Sequence, residues 1–159
     1  KSRQTTRKTW FAQRQEKIMY EYKCTVDRVV DGDTIDVTLD LGFDILHKCR
    51  VRLYGIDTPE CRTRDLDEKA RGKIAAGFVQ SSVEEAELIQ IRTKLKDSKG
   101  KYGRVLGELI VDDININQLM IDKHYCVAYY GQNKEEVEHE HMINRGKLIK
   151  AGLFDPESI

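Results

Sequence analysis

Three short segments of the chain combine carboxylates, arginines and glycine, residue types that can hold a hard cation beside a phosphate. They are 30–34 (VDGDT), 52–60 (RLYGIDTPE) and 101–104 (KYGR). Carboxylate oxygens are preferred ligands of hard cations. Guanidinium forks bind phosphate oxygens in pairs and keep their charge. If the fold brings the three segments together, they could bind a phosphodiester and cut it.

Length and composition predict a single soluble globular domain. The chain has 159 residues, 40% hydrophobic and 34% charged, enough to bury about two-thirds of the unfolded surface in one core. Its apolar runs are far shorter than the about 20 residues that cross a bilayer, so we expect no membrane segment. No signal peptide is visible, which favours an intracellular location, but a start at Lys1 rather than Met leaves secretion open. We expect a monomer.

Charge is balanced overall but clustered along the chain. A net charge of zero argues against a nucleic-acid partner, because duplex-binding proteins are usually basic. Residues 1–17, however, hold six basic side chains against one acidic, and residues 92–104 hold another six against one. A solvated surface explains the first cluster equally well, whereas the second ends at Arg104. The chain is therefore divided into a basic N-terminal arm, 1–19, and a domain over 20–155.

Five strands are predicted from apolar alternation and the turn residues around it. Ile35, Val37 and Leu39 alternate with polar residues, as one face of a half-buried strand does. Pro59 cannot donate to a strand ladder and so closes the third strand. The predicted strands cover 22–30, 35–41, 50–56, 88–95 and 105–111.

A helix is predicted between the third and fourth strands. Asp65, with Glu68 three residues later, is typical of a capping-box start. Gly72 and Gly77 weaken this helix by about 1 kcal/mol each relative to alanine, so packing must stabilise it. The apolar stripe predicted to face the core recurs every fourth residue and consists of Leu66, Ala70, Ile74 and Phe78.

Two further helices complete the order. A short one is expected around Ile116 and Met120, and Asn133 is a candidate cap for a last helix that runs towards Gly152. Three strands, a helix, two strands and then helices favour an α+β fold. The predicted architecture is a five-stranded, partly open β-barrel of the OB type with helices packed against it.

Cysteines and histidines do not indicate a metal site of their own. The four cysteines lie far apart with no C-x-x-C pair, so zinc is disfavoured and reduced thiols are expected, with a disulfide left open. The four histidines show no ordered partner motif. His139 and His141 are two residues apart, on different faces of a helix, so a histidine-ligated metal site is disfavoured.

In order, residue types and approximate spacing, the three segments resemble the active-site segments of the staphylococcal nuclease (thermonuclease-like) family. The resemblance covers about residues 22–154 and implies the OB-type barrel. It also implies that Ca²⁺ is bound by the side chains of Asp33 and Asp57 and by the carbonyl of Thr58. An oxygen-only site with few protein ligands suits this ion. An ordinary Asp-Gly turn is the alternative for the first segment taken alone.

The resemblance also implies roles for the remaining site residues. Glu60 matches the general base, and Arg52 and Arg104 match the two arginines that hold the scissile phosphate. Arg50 lies nearby, but the five-residue separation from Asp57 favours Arg52.

Three more positions match substrate contacts of the family. Lys101 and Tyr102 match residues at a terminal phosphate, and Tyr129 matches an aromatic against the base, with Tyr130 as an open alternative. Stacking of this kind suits single-stranded or frayed nucleic acid.

The implied function is a Ca²⁺-dependent nuclease that cleaves DNA and RNA with low sequence specificity and leaves 3′-phosphate and 5′-hydroxyl ends. The alternative is a non-catalytic nucleic-acid-binding module of the same fold. The filled catalytic positions favour the enzyme. One departure from the family is the segment 61–66, which is shorter than the lysine-rich loop that borders the family's substrate, so cleavage preference could differ.

Overall fold

The alternation of apolar residues seen in the sequence forms the inner face of a β-barrel. The computed structural model describes residues 18–94 and 105–159. Within it, Ile35 and Val37 of the second strand are 0% and 1% exposed, and Val51 and Leu53 of the third are fully buried. Leu41, which the sequence placed at the end of the second strand, is 39% exposed because that strand already ends before it.

The barrel closes through one parallel pairing. The five strands are β1 (Ile18–Asp31), β2 (Thr34–Asp40), β3 (Leu46–Leu53), β5 (Ile89–Lys94) and β6 (Val105–Val111). Neighbours pair antiparallel in the order β3-β2-β1-β5-β6, and β3 returns to pair in parallel with β6. The predicted five-stranded OB-type barrel is therefore confirmed.

Two short strand pairs extend this barrel. β7 (Ile114–Asn115) adds to the edge of β6, and β4 (Ile56–Asp57) pairs with β8 (Val127–Ala128). The second pair matters for the site, because it ties the segment after β3 to the segment that leads into the last helix.

Each of the three helices begins after a polar capping residue. They are α1 (Leu66–Glu84), α2 (Ile116–Asp122) and α3 (Lys134–Lys150), followed by a 3₁₀ turn (Pro156–Ser158). Asp65 and Asn133 cap α1 and α3 by accepting hydrogen bonds from backbone N–H groups of the first turn, as the sequence predicted.

The face that α1 buries agrees only in part with the predicted stripe: Phe78 packs against the core, whereas Ala70 and Ile74 are half-buried. Leu66 is 61% exposed, and the residues that α1 buries are Arg71, Gly72, Ala75 and Val79. A Cβ atom at Gly72 would lie only 2.7 Å from the carbonyl oxygens of Pro59 and Glu60. Because the helix approaches the Pro59–Glu60 loop this closely, a glycine occupies the point of contact. The bulkier residues of the predicted stripe lie beside this contact.

The predicted N-terminal arm lies mostly outside the described residues. Its last two positions, Ile18 and Met19, belong to β1. Among 18–94 and 105–159, no helix has the length and apolar character needed to cross a membrane.

Candidate active site

One end of the barrel brings together side chains from the first two sequence segments. The turn between β1 and β2 carries Asp33, and Thr34 pairs with Arg52 across β2 and β3. The backbone N–H of Leu53 donates to the Asp33 carbonyl at 2.8 Å. A Cβ at Gly32 would lie 2.8 Å from the Ala75 Cβ. Glycine is therefore required for this turn to pack against α1.

Asp33 is a nearly buried carboxylate with defined hydrogen bonds. Its side chain is 10% exposed. Its Oδ2 accepts from the Thr58 backbone N–H at 3.1 Å, and its Oδ1 accepts from the Thr34 hydroxyl at 3.0 Å. These hydrogen bonds give both oxygens of the carboxylate a partner, without which its burial would be costly.

Arg52 lies between two carboxylates. Its Nη2 is 3.4 Å from Asp33 Oδ2 and 3.7 Å from Asp57 Oδ1. Its Nη1 donates to the Leu53 carbonyl at 2.9 Å, which fixes the direction of the guanidinium group. The nearby Arg50 instead pairs with Asp36 at 2.7 Å and is 47% exposed. The geometry thus places Arg52, and not Arg50, beside the two aspartates.

Glu60 reaches the same cleft and lies among other carboxylates. Partial burial raises the pKa of its carboxyl, and four neighbouring acidic side chains raise it further: Asp31, Asp33, Asp57 and Glu68. A carboxylate with a raised pKa takes up a proton more readily, which is the property a general base needs.

Glu68 shapes the loop that carries Glu60. The sequence predicted that Glu68 would complete a capping box, but its Oε1 accepts from the Glu60 backbone N–H at 3.4 Å. The Cys61 N–H donates to Asp31 Oδ1, also at 3.4 Å. Side chains from the first turn of α1 and from the end of β1 therefore hold the loop, and α1 contributes to the position of Glu60.

An open cleft of about 1220 Å³ extends from these residues. Exposed tyrosines line it: Tyr129 is 46% exposed and Tyr130 is 76% exposed. The Tyr129 N–H donates to the Gly55 carbonyl at 2.8 Å, so the β4–β8 pair holds this tyrosine at the cleft wall. Both tyrosines remain candidates for stacking against a base.

The structure brings together six of the predicted site residues: Asp33, Arg52, Asp57, Thr58, Glu60 and Tyr129. The other three, Lys101, Tyr102 and Arg104, lie outside the described residues. The roles assigned to all nine residues remain predictions.

His141 is a site residue that the sequence interpretation missed. Its Nε2 lies 2.8 Å from Asp57 Oδ2, and its side chain is 13% exposed. The sequence interpretation had considered the histidines only as metal ligands and did not anticipate this contact with Asp57. A usable signal was present: after the Asn133 cap, Lys134, Glu138 and His141 follow at helical spacing, and all three line the cleft.

Within the described parts of the chain, no group of three or more His, Cys, Asp or Glu side chains is arranged to hold a metal ion. A cation site here would have to rest on two carboxylates completed by backbone oxygen and water. The four cysteines are unpaired, as expected. Burial raises the pKa of the Cys61 thiol, which lies next to Glu60, to about 11.

The fold and the site together define an OB-type barrel whose mouth carries an acidic and arginine-bearing cleft. The staphylococcal nuclease homologue family matches residues 50–152, and the chain belongs to this family. The predicted family is confirmed.

Several known proteins are similar to the chain. Endonuclease YhcR of Bacillus subtilis (strain 168) is 31% identical over 116 residues, which make up 69% of this chain and 9% of that protein. Thermonuclease of Staphylococcus intermedius is 37% identical over 95 residues, 58% of this chain and 51% of that protein. Protein ParB of Escherichia coli is 31% identical over 154 residues, 87% of this chain and 76% of that protein. The chain thus spans about half of the length of the thermonuclease and only 9% of the length of endonuclease YhcR.

Proposed function

We propose that this protein is a nuclease that hydrolyses phosphodiester bonds of DNA and RNA with low sequence specificity. The observation that carries the proposal is the position of Arg52, between Asp33 and Asp57, in the cleft that Glu60 also lines. An arginine held there can bind the phosphate while a carboxylate accepts a proton. The family, and the names endonuclease and thermonuclease among the relatives, support the same interpretation.

A divalent cation, which we propose is Ca²⁺, fits the residues present. Asp33 Oδ2 and Asp57 Oδ1 converge on one guanidinium nitrogen, so the fold already gathers two carboxylates around a positive charge. The side chains of Asp33 and Asp57 and the carbonyl of Thr58 would hold the ion. Ca²⁺ accepts carboxylate, backbone carbonyl and water oxygens in a flexible geometry, whereas Mg²⁺ demands a near-octahedral one, and on this ground we propose Ca²⁺. When bound, the cation supplies positive charge against the phosphate oxygens.

The reaction proposed for the chain's own residues is a direct displacement at phosphorus. Glu60 accepts a proton from the attacking water, and Arg52, with Arg104 as the proposed second arginine, donates hydrogen bonds to the non-bridging oxygens as their charge increases. The water oxygen bonds to phosphorus while the bond to the 5′-oxygen breaks. The departing 5′-oxygen takes up a proton from solvent water, which gives a 5′-hydroxyl, and the phosphate stays on the 3′-oxygen of the other fragment.

Single-stranded or frayed nucleic acid is the proposed substrate form. The exposed ring of Tyr129 can stack on any base, since every base presents a π-face, and each stacked base contributes about 1–3 kcal/mol. Lys101 and Tyr102 are proposed to contact a terminal phosphate.

The test is incubation of the protein with single-stranded and duplex DNA and RNA, in Ca²⁺, in Mg²⁺ or in chelator, with end-group analysis of the products. We expect cleavage in Ca²⁺, little in Mg²⁺ and none in chelator, with 3′-phosphate ends. Arg52→Ala should lower turnover by about 10²–10³-fold. The matched control Arg50→Ala should keep the wild-type turnover, because the Arg50 side chain pairs with Asp36 outside the cleft. Binding without cleavage in every condition would instead identify a non-catalytic binding module.

A further inference from the structure

The two oxygens of the Asp57 carboxylate face different partners. Oδ2 is 2.8 Å from His141 Nε2, whereas Oδ1 points to the side of Arg52, at 3.7 Å from its Nη2. An ionised carboxylate only accepts hydrogen bonds, so the imidazole nitrogen is the donor in this contact. The hydrogen bond therefore fixes the rotation of the carboxylate about its side-chain axis and leaves Oδ1 on the side of Arg52, whose Nη2 also lies 3.4 Å from Asp33 Oδ2.

The helix that carries His141 is attached to the rest of the fold just beyond it. Asn144 donates from Nδ2 to the Cys126 carbonyl at 3.0 Å. Arg145 donates to both oxygens of Asp67 on α1, at 3.2 and 3.0 Å. These contacts hold α3 against the barrel and α1 within one turn of His141, so the imidazole is presented from a fixed helix.

We propose that His141 is a positioning residue: it holds Asp57 so that Oδ1 and the Asp33 carboxylate are arranged for a cation before the cation binds. The inference rests on the proposed function, since it takes Asp33 and Asp57 as the cation ligands. Hydrogen bonds to ligating carboxylates orient them, and loss of such a partner typically weakens metal affinity by about 10–100-fold.

The test compares calcium affinity, measured by isothermal titration calorimetry without substrate, in two variants of equal side-chain length. His141→Gln keeps an N–H donor, whereas His141→Met fills similar space without one. We expect the methionine variant to bind Ca²⁺ about 10–100-fold more weakly than the wild type, and the glutamine variant to bind within about threefold of it. His139→Met is the matched control on an exposed position two residues away, and its affinity should not change.

The outcomes separate this inference from the metal assignment. Wild-type calcium affinity in both Asp33→Asn and Asp57→Asn would overturn the proposed metal site itself. Weak binding in those two variants, with wild-type affinity in His141→Met, would overturn only the positioning role. Equal loss in the glutamine and methionine variants, with unchanged melting temperatures, would also overturn it and would point to direct ligation by the imidazole.

Discussion

At the scale of single residues, the site depends on carboxylates held close together at the barrel mouth. Asp33, Asp57 and Glu60 would repel one another, but Arg52 lies between the two aspartates, and the Thr58 N–H and the Thr34 hydroxyl donate to Asp33. The remaining repulsion acts on the Glu60 carboxyl group, and its pKa is raised by partial burial and by its acidic neighbours. The same crowding that favours a cation thus makes Glu60 a better proton acceptor.

Replacing Glu60 by glutamine removes that proton acceptor while keeping the shape of the side chain. We expect turnover to fall by at least about 10²-fold, the usual contribution of a positioned general base. The fold should persist, because the residue is exposed at the cleft. Steady-state rates and a thermal melt on the same preparation check this. Near-wild-type turnover in this variant would show that Glu60 is not the general base.

The sequence predicted those site residues that lie in short segments of recognisable composition. Asp33, Arg52 and Asp57 are found at the site because they occur in ordered segments at strand ends. His141 was not predicted, because its partner Asp57 is 84 residues away. That contact depends on how α3 docks on the barrel, a property that no local pattern contains.

At the scale of elements, α1 shapes the active-site loop as well as the core. Gly72 allows the helix to approach the carbonyl oxygens of Pro59 and Glu60, and Glu68 accepts from the Glu60 N–H. The predicted caps of α1 and α3 were right because capping is local chemistry. The predicted stripe was right for Phe78 but wrong for Leu66, because the facing loop, and not the helix periodicity alone, decides which side chains fit.

Two glycines of α1 give opposite predictions for substitution by alanine. Gly72→Ala would push a Cβ against the Pro59–Glu60 backbone, so we expect a loss of about 1–3 kcal/mol of stability. Turnover should fall as well, by up to about 10²-fold, because Glu60 is displaced.

Gly77→Ala is the matched control, because among the described residues no atom outside its own stretch of helix would lie within 4 Å of its Cβ. That variant should gain up to about 1 kcal/mol from helix propensity and keep its activity. Chemical denaturation and rate measurements on both variants test the expected changes in stability and turnover. Equal stability of the two variants would contradict the close approach at Gly72.

Asp67 joins α1 to α3. Burial alone would raise the pKa of its carboxyl, but hydrogen bonds from Arg71 and Arg145 outweigh this and hold the pKa below its usual range. Asp67→Asn should therefore lower the free energy of unfolding by about 1–3 kcal/mol at neutral pH. Asp36→Asn, which breaks the exposed pair with Arg50, should cost less than about 1 kcal/mol.

The pH dependence of the Asp67 effect has a definite sign. A lowered pKa in the folded state stabilises the fold fully above the unfolded-state pKa of about 3.9, and this contribution is lost as the pH falls through the lower folded-state value. The stability difference between the wild type and Asp67→Asn should be constant above about pH 5 and shrink below about pH 4. Denaturant melts across this range measure it, and a difference that grows in acid would exclude the ion-pair explanation.

At the scale of the whole molecule, the barrel was predictable because its strands follow the alternation that burial on one face demands. The predicted strand over 105–111 coincides with β6, and the third strand was placed too late because the residues that begin β3 are exposed. The closure of β3 against β6 joins segments that are distant in the chain. The order of the elements suggested such a barrel and the family resemblance implied it, but no local pattern contains the pairing itself.

The distribution of charge over the whole chain leads to a last prediction. Residues 1–17 hold six basic side chains against one acidic in a protein of zero net charge, so the rest of the chain is acidic overall. A basic segment of this kind can contact phosphates without reading sequence. Deleting residues 1–17 leaves β1 intact, because that strand begins at Ile18. Substrate affinity should therefore weaken while turnover at saturating substrate stays nearly unchanged.

The dependence of this binding on salt distinguishes phosphate binding by the arm from a packing role of the same residues. For every phosphate that the arm neutralises, its deletion should flatten the slope of log affinity against log salt concentration by about 0.7 for a single-stranded substrate. If Trp10 and Phe11 instead pack on the barrel, the truncated protein should melt at a lower temperature and keep its salt slope. Both quantities can be measured on one truncated preparation. An unchanged slope would reject the arm as a phosphate-binding segment, because a protein that neutralises fewer phosphates must release fewer counterions.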